Sequence, residues 1–322
     1  MEYKLIQGDC LEVLKTLDAG SVNMCVTSPP YYGLRSYLDD DSEDKPLEIG
    51  LEQTPGEYVN KLVEVFREVK RTLRDDGTCW LNLGDSYNGS GKAGKNPEYQ
   101  DRHTEFGKPS KHKERFGKPT NVAGLKPKDL IGIPWRVAFA LQADGWWLRS
   151  DIIWAKPNPM PESVKDRPTK SHEYIFLLSK SAKYYYDHEA IKENSKYPDD
   201  DRKSRVNDNA KDFQRDGNKL AKGSKTYPKR NKRTVWTVNT KPFKEAHFAV
   251  FPPKLITPCI LAGSPKGGLV LDPFSGAGTT GVVCAKFGRD FIGIELNPKY
   301  IKMSRKRIDK ANQQMILPME VK

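Results

Sequence analysis

Two stretches near opposite ends of a 322-residue chain combine residue types that do chemistry when held still. The first is Thr27-Ser28-Pro29-Pro30-Tyr31. Each proline fixes its own φ and lacks an N–H, and a residue before proline is pushed toward extended geometry. Ser28-Pro29-Pro30 therefore reads as a stiff turn whose carbonyls no neighbouring N–H claims. Tyr31 adds a flat aromatic face beside the Ser28 hydroxyl. The set suits a planar group held by stacking while an amino group at its edge donates hydrogen bonds.

The second stretch is Leu269-Val270-Leu271-Asp272-Pro273-Phe274-Ser275-Gly276-Ala277-Gly278-Thr279-Thr280-Gly281. It reads as a strand, a glycine-rich loop and a helix start. Glycines 276, 278 and 281 satisfy G-x-G-x-x-G, and Glu295 lies fourteen residues beyond, at the end of the next apolar run. The glycines let backbone approach a ligand closely, and such an acid binds the two hydroxyls of a ribose. Asp272-Pro273-Phe274-Ser275 stands between strand and first glycine, so a carboxylate lies where a dinucleotide's phosphates would be repelled. Asp272 suits instead a cationic ligand with an amino acid's ammonium group. S-adenosylmethionine carries that ammonium, a sulfonium and a ribose for Glu295.

The elements that must hold these stretches follow from periodicity. Tyr3–Ile6 reads as a strand, and Asp9 as the cap of a helix through Leu17. Val22–Val26 is an apolar run that delivers the Pro-Pro turn. Residues 55–73 carry Val59, Leu62, Val63, Phe66, Val69 and Leu73 at helical spacing, with Gly77 as the stop. Cys79–Leu83 and Trp147–Trp154 read as strands around a helix from Pro134 to Ala143. Glu173–Leu178 and Lys183–Tyr186 read as a hairpin-like pair. After Val235–Val238 come helix 252–262, strand 269–271, helix 279–287, strand 291–294 and helix 298–311. Strands alternating with helices give the fold class: α/β, a doubly wound, mostly parallel Rossmann-like sheet.

Composition narrows the function classes. The chain is 37% hydrophobic and 10% aromatic, so it is globular. No apolar run approaches the ~20 residues that span a bilayer. The five cysteines are scattered, with no Cys-x-x-Cys pair, which argues against a metal site or a disulfide framework and for a reducing, cytoplasmic setting. The net charge of +12 is concentrated: residues 86–128 hold 10 basic against 4 acidic side chains and residues 188–245 hold 16 against 9. The first segment repeats Phe-Gly-Lys-Pro at 106–109 and 116–119. A neutral body with two basic insertions is the electrostatic footprint of a nucleic-acid binder.

Taken together, the motifs resemble the permuted beta class of S-adenosylmethionine-dependent DNA amino-methyltransferases, in which the Pro-Pro-Tyr motif precedes the cofactor loop. Gly8-Asp9-Cys10 resembles that family's adenine-binding turn, Ser28-Pro29-Pro30-Tyr31 its catalytic loop, and Asp272, Phe274, Ser275, Gly276, Gly278, Thr279 and Thr280 its methionine-binding loop. Glu295 matches the ribose acid, followed by Asn297, and His247–Pro252, which includes Phe251, matches the segment before the loop. Trp154-Ala155-Lys156-Pro157-Asn158-Pro159 matches a further recurring stretch.

The resemblance implies a catalytic half at 1–85, a basic insertion at 86–128, the rest of the catalytic half at 129–187, a target-recognition segment at 188–245 and a cofactor half at 246–322. It implies double-stranded DNA as partner and admits a cognate restriction endonuclease and a homodimer. It further implies the cytoplasm of a prokaryotic or virus-infected cell. Serine before Pro-Pro-Tyr goes mainly with N4 of cytosine in that family, whereas Asp or Asn goes mainly with N6 of adenine, and both bases offer an exocyclic amino group. Three rival readings fit less well. Pro258-Cys259 is the dipeptide of a carbon-5 cytosine methyltransferase, but it sits in an apolar helical stretch. A dehydrogenase conflicts with Asp272. A non-catalytic DNA-binding protein leaves the paired motifs unexplained.

Overall fold

The computed structural model describes residues 1–34, 36–39, 41–89, 124–195, 228–240 and 250–316. The order begins β1 (Tyr3–Gln7), α1 (Cys10–Lys15), β2 (Val22–Thr27), α2 (Pro55–Thr72) and β3 (Leu73–Leu83). It continues with α3 (Ile133–Ala143), β4 (Trp147–Ala155), β5 (His172–Ser179), β6 (Glu193–Asn194), β7 (Lys229–Arg230) and β8 (Val235–Thr237). The chain then forms α4 (Pro253–Gly263), β9 (Leu269–Asp272), α5 (Thr279–Phe287), β10 (Asp290–Glu295) and α6 (Pro298–Ile316).

Eight strands form one sheet in the order β1-β10-β9-β2-β3-β5-β4-β8. All neighbours are parallel except β5, which runs antiparallel to both β3 and β4. The doubly wound, mostly parallel α/β architecture read from the motif alternation is what the chain forms. Strands of 1–85 and of 246–322 interleave in this sheet: β2 lies between β9 and β3.

Both faces are covered, so the strands are buried on both sides. Cys25, Cys79, Leu81, Phe176 and Leu178 face α1, α2 and α3. Met24, Val26, Trp80, Ile175 and Leu177 face α4, α5 and α6. Helix α2 shows why such segments are helical. Thr54 and Glu57 form a reciprocal capping box, Pro55 occupies the first turn, and Tyr58, Leu62, Phe66 and Val69 form one fully buried stripe. Burying each such side chain contributes roughly 1.5–3 kcal/mol.

Two local expectations fail. Helix α2 stops at Thr72 and β3 begins at once; Gly77 lies inside that strand, at an irregularity where the register with β2 shifts between Val22 and Met24. A Cβ on Gly77 would come within 2.9 Å of the Arg74 carbonyl, so the glycine serves a tight bulge, not a helix stop. Residues 183–186 form no strand. Their aromatics pack instead, Tyr186 stacking on Trp80 at 6.3 Å between ring centroids, and β5 takes β3 and β4 as partners.

Candidate active site

The carboxyl ends of β1, β10, β9, β2 and β3 lie along one edge of the sheet, where open α/β sheets place their ligands. Register aligns Gln7 with Glu295, Gly293 with Asp272 and Thr27 with Leu81. Because β5 is antiparallel, its first residues reach this same edge, and β4 delivers Lys156 there too: Trp154 stands opposite Glu173 and Ala155 opposite His172.

On the glycine-loop side, Gly276 and Gly278 adopt φ of 50° and 74°, the left-handed region that favours glycine. The loop is pinned to β10 by two N–H groups: Ser275 N–H donates to the Ile294 backbone carbonyl at 2.9 Å, and Gly276 N–H to the Glu295 side chain at Oε2, 2.8 Å away. Glu295 Oε1 accepts from Asn297 N–H at 2.8 Å. Burial pushes the Glu295 carboxyl up to about 7 despite these two hydrogen bonds. The Asn297 side chain caps α6 by accepting from Lys299 N–H at 2.9 Å and donates to the Tyr37 carbonyl at 2.8 Å. Asp9 caps α1, accepting from Glu12 N–H at 3.0 Å, and Gly8 N–H donates to the Glu295 carbonyl at 3.1 Å. Cys10 opens α1, buried, its thiol pushed up to about 12 by burial.

Four more residues of the expected cofactor set complete this side. Phe274 packs toward α1–α3 and Phe251 toward α4–α6, on opposite faces of the sheet. Thr279 Oγ1 lies 3.4 Å from the Arg307 guanidinium, which also donates to the Ala277 carbonyl. Helix α5 has no side-chain cap, so its first N–H groups are open to an anion. The Ser275 hydroxyl is buried without a hydrogen-bond partner.

Asp272 departs from its expected role. It is 1% exposed, and its carboxylate is taken up by the protein: Oδ1 accepts from Thr27 Oγ1 at 2.6 Å and Phe274 N–H at 3.1 Å, Oδ2 from Thr280 Oγ1 at 2.6 Å. Burial pushes this carboxyl up to about 6, against the lowering effect of those three donors. It is a clasp rather than an open site for an ammonium group. The residue it holds, Thr27, immediately precedes Ser28, so one carboxylate joins the Pro-Pro turn to the glycine loop.

The turn is less open than its two prolines suggest. Pro29 is buried, and the Tyr58 hydroxyl donates to the Pro30 carbonyl at 2.8 Å, so that acceptor is used. Among the described residues no donor reaches the Pro29 carbonyl. Tyr31 packs against Gly84, where a Cβ would lie 2.5 Å from ring atom Cε2. Its hydroxyl is 2.8 Å from Glu173 Oε2 and 3.2 Å from Asn82 Oδ1, and Ser28 Oγ donates to it at 3.4 Å. Burial first, then the nearby Glu173 charge, pushes the phenol well above its ordinary range. Glu173 also accepts from Asn82 Nδ2 at 3.2 Å and pairs with Lys156, whose ammonium sits 4.3 Å over the Trp154 ring. Tyr58, Asn82 and Glu173 carried no motif signal; Lys156 lay in the Trp-Ala-Lys-Pro-Asn-Pro stretch.

Cys259 is fully buried in α4, its thiol pushed up by burial, which removes it as a nucleophile. Most of both basic segments, including Lys108 and Lys118, and residues 247–249 lie outside the described residues. Where the second segment is described, Arg230 and Arg233 both pair with Glu193, and Lys232 sits 5.0 Å over Trp236. Among the described residues no helix is long and apolar enough to cross a membrane, and no cluster of metal-ligating side chains occurs.

A glycine loop and an acid on adjacent strand ends place this sheet among Rossmann-like folds, which the methyltransferases share with dinucleotide-binding enzymes. Solved structures bear this out: a cytosine-N4-specific PvuII DNA methyltransferase superposes with a TM-score of 0.61 at 17% identity, covering 98% of this chain and 93% of its own. TTHA0409 of Thermus thermophilus, solved with S-adenosyl-L-methionine, gives 0.56 at 21% identity over 97% and 96%. The sequence profile of the N6/N4 family, described as DNA methylase, matches residues 22–306, and the chain belongs to that family. The Type II methyltransferase M.Cfr9I of Citrobacter freundii is 48% identical across 97% of this chain and 89% of its own. M.SmaI of Serratia marcescens is also 48% identical, across 95% and 90%.

Proposed function

We propose that the protein transfers the methyl group of S-adenosylmethionine to the exocyclic N4 of a cytosine flipped out of duplex DNA, as the modification enzyme of a restriction–modification pair. It works in the cytoplasm, where its five buried cysteines, all free, stay reduced. The observation that carries the reading is the Thr27–Asp272–Thr280 clasp, which sets the Ser28–Tyr31 turn beside the glycine loop on one sheet edge.

The residues fit the cofactor. Glu295 has one donor on each oxygen and is strongly desolvated, so two ribose hydroxyls would relieve its burial. The open N-terminus of α5 suits a carboxylate, and the unpartnered Ser275 hydroxyl offers one more polar contact. Gly8-Asp9-Cys10 lies beside Glu295, as an adenine-binding turn would require, while Asn297 and Asp272 act by shaping the site. When bound, S-adenosylmethionine supplies an electrophilic methyl carbon on a sulfonium.

A base inside a duplex cannot reach this edge, so it must leave the stack at a cost of a few kcal/mol. Tyr31 stacks on it, and the amino group donates to the Ser28 hydroxyl and the Pro29 carbonyl. Tyr58 keeps the Pro30 carbonyl out of that competition. Alignment of the amino nitrogen supplies much of the acceleration. Cytosine N4 is favoured because serine before Pro-Pro-Tyr, as at Ser28, goes mainly with that base in the family the motifs resemble. The structural neighbour named as cytosine-N4-specific supports the same base. Digestion of DNA from expressing cells followed by nucleoside mass spectrometry tests it. N4-methylcytosine is expected; N6-methyladenine as the sole product overturns the base assignment.

A further inference from the structure

The methylated amino nitrogen poses a problem that the turn alone does not solve. A nitrogen that gains a methyl group and keeps both protons is a cation, so one N–H bond must break with its electron pair returning to nitrogen. Neutral serine cannot store a second proton, and neither can the Pro29 carbonyl. The carboxylate in hydrogen-bond continuity with the Ser28 and Tyr31 hydroxyls is Glu173, 2.8 Å from Tyr31 Oη.

We propose that Glu173 receives the proton released by the target amino group, relayed through Ser28 and Tyr31. The proton passes to Ser28 Oγ as the serine proton moves to Tyr31 Oη and the tyrosine proton moves to Glu173 Oε2. Both hydroxyls end as they began, Glu173 ends neutral, and it returns the proton to water before the next turnover. Nothing is oxidised or reduced.

Four observations support the direction of this relay. Ser28 Oγ already donates toward Tyr31 Oη at 3.4 Å, a contact that a bound base would shorten. The Tyr31 hydroxyl has two acceptors, and the carboxylate is both nearer and charged, 2.8 Å against 3.2 Å for Asn82 Oδ1. Burial and the Glu173 charge hold Tyr31 as a neutral donor. Lys156, only 17% exposed, holds the other carboxylate oxygen, Oε1, while Asn82 Nδ2 donates to the same Oε2 that Tyr31 contacts. Other charged groups stand close: Lys170 and His172 at the start of β5, both pushed down first by burial, and Asp85 after β3. The proposal rests on the reading that the Ser28–Tyr31 turn engages the amino group.

The test uses the full chain with methyl-tritiated S-adenosylmethionine and unmethylated genomic DNA. Glu173→Gln keeps the shape of the network but cannot take up a proton. It is expected to lower kcat roughly a hundredfold, flatten the acidic limb of the pH–rate profile, and leave cofactor Kd and DNA Kd at parental values. Tyr31→Phe combined with Glu173→Gln should cost no more than Tyr31→Phe alone, because the two act in one chain. Lys156→Met keeps the relay intact but removes the cation, so the acidic limb should move to higher pH. That variant decides the matter should Glu173→Gln fold poorly. Parental kcat and acidic limb in Glu173→Gln, an unmoved limb in Lys156→Met, or multiplying losses in the double variant would overturn the relay. Ser28→Ala at parental kcat would sink the underlying reading of the turn instead, a different result from loss of the relay alone.

Discussion

Around Glu295 the site is held by the chain's own backbone, whereas around Tyr31 it is held by side chains from separate stretches. Gly276 N–H, Asn297 N–H and Gly8 N–H converge on Glu295 and its carbonyl. Tyr31 and its turn rest on Tyr58, Asn82, Glu173 and, through Glu173, Lys156. Backbone contacts survive most substitutions, so the first region forms whenever the strands pair. Side-chain contacts can be removed singly, so the second can be tuned one atom at a time. Asp272 is the exception that belongs to both.

The largest effects should separate the two regions. Ser28→Ala is expected to lower kcat by about 10²–10³ with unchanged S-adenosylmethionine affinity. Glu295→Gln should weaken that affinity roughly tenfold to a hundredfold with little change in kcat at saturation. Calorimetry with steady-state kinetics reads both, and either variant moving both quantities breaks the division. Next comes the clasp. In Asp272→Asn one of the Thr27 and Thr280 hydroxyls loses its acceptor, so stability should fall by about 1–3 kcal/mol, with cofactor affinity and kcat falling together. Denaturant unfolding measures the first, and a change in only one function would return Asp272 to a single side.

The third effect is one of pH. Burial raises Glu295 to about 7, so the ligand-free fold favours its protonated form. Its contribution to stability is complete below the unfolded value of 4.5 and is lost as pH rises through about 7. Ribose hydroxyls favour the ionised carboxylate, so cofactor affinity should rise about tenfold between pH 6 and pH 8, with proton release. Titrations in buffers of different ionisation enthalpy check this; a flat profile would remove Glu295 from the ribose. The smallest effect belongs to Tyr58→Phe, which frees the Pro30 carbonyl. A stability loss of about 0.5–1.5 kcal/mol and a few-fold lower kcat are expected, and an unaltered kcat would make that bond purely structural.

The same contrast explains what the amino-acid sequence disclosed. The glycine loop, Glu295 and the Pro-Pro turn are local patterns whose geometry follows from glycine and proline stereochemistry, and the strand–helix alternation around them pointed to the sheet. Asp272 was legible as a site residue but not as a clasp, because its hydroxyl partner Thr27 lies 245 residues away. Glu173 was hidden for another reason. Its strand reads like any other buried run, and only the antiparallel direction of β5 brings its first residues to the sheet edge that carries the Pro-Pro turn. Gly77 misled because a glycine after a helical stretch signals a stop as readily as a bulge.

The pairing of β2 with β9 has a consequence for how the enzyme is made. Met24 and Cys25 take Val270 and Leu271 as neighbours, so the centre of the sheet cannot close until residues near 270 have left the ribosome. Until then the strand bearing the Pro-Pro turn has a bare edge, the loop to be closed spans most of the chain, and its entropy favours delay. A chain interrupted anywhere before β9 therefore presents Ser28 and Tyr31 with no glycine loop beside them. Synthesis itself withholds methylation from unfinished copies.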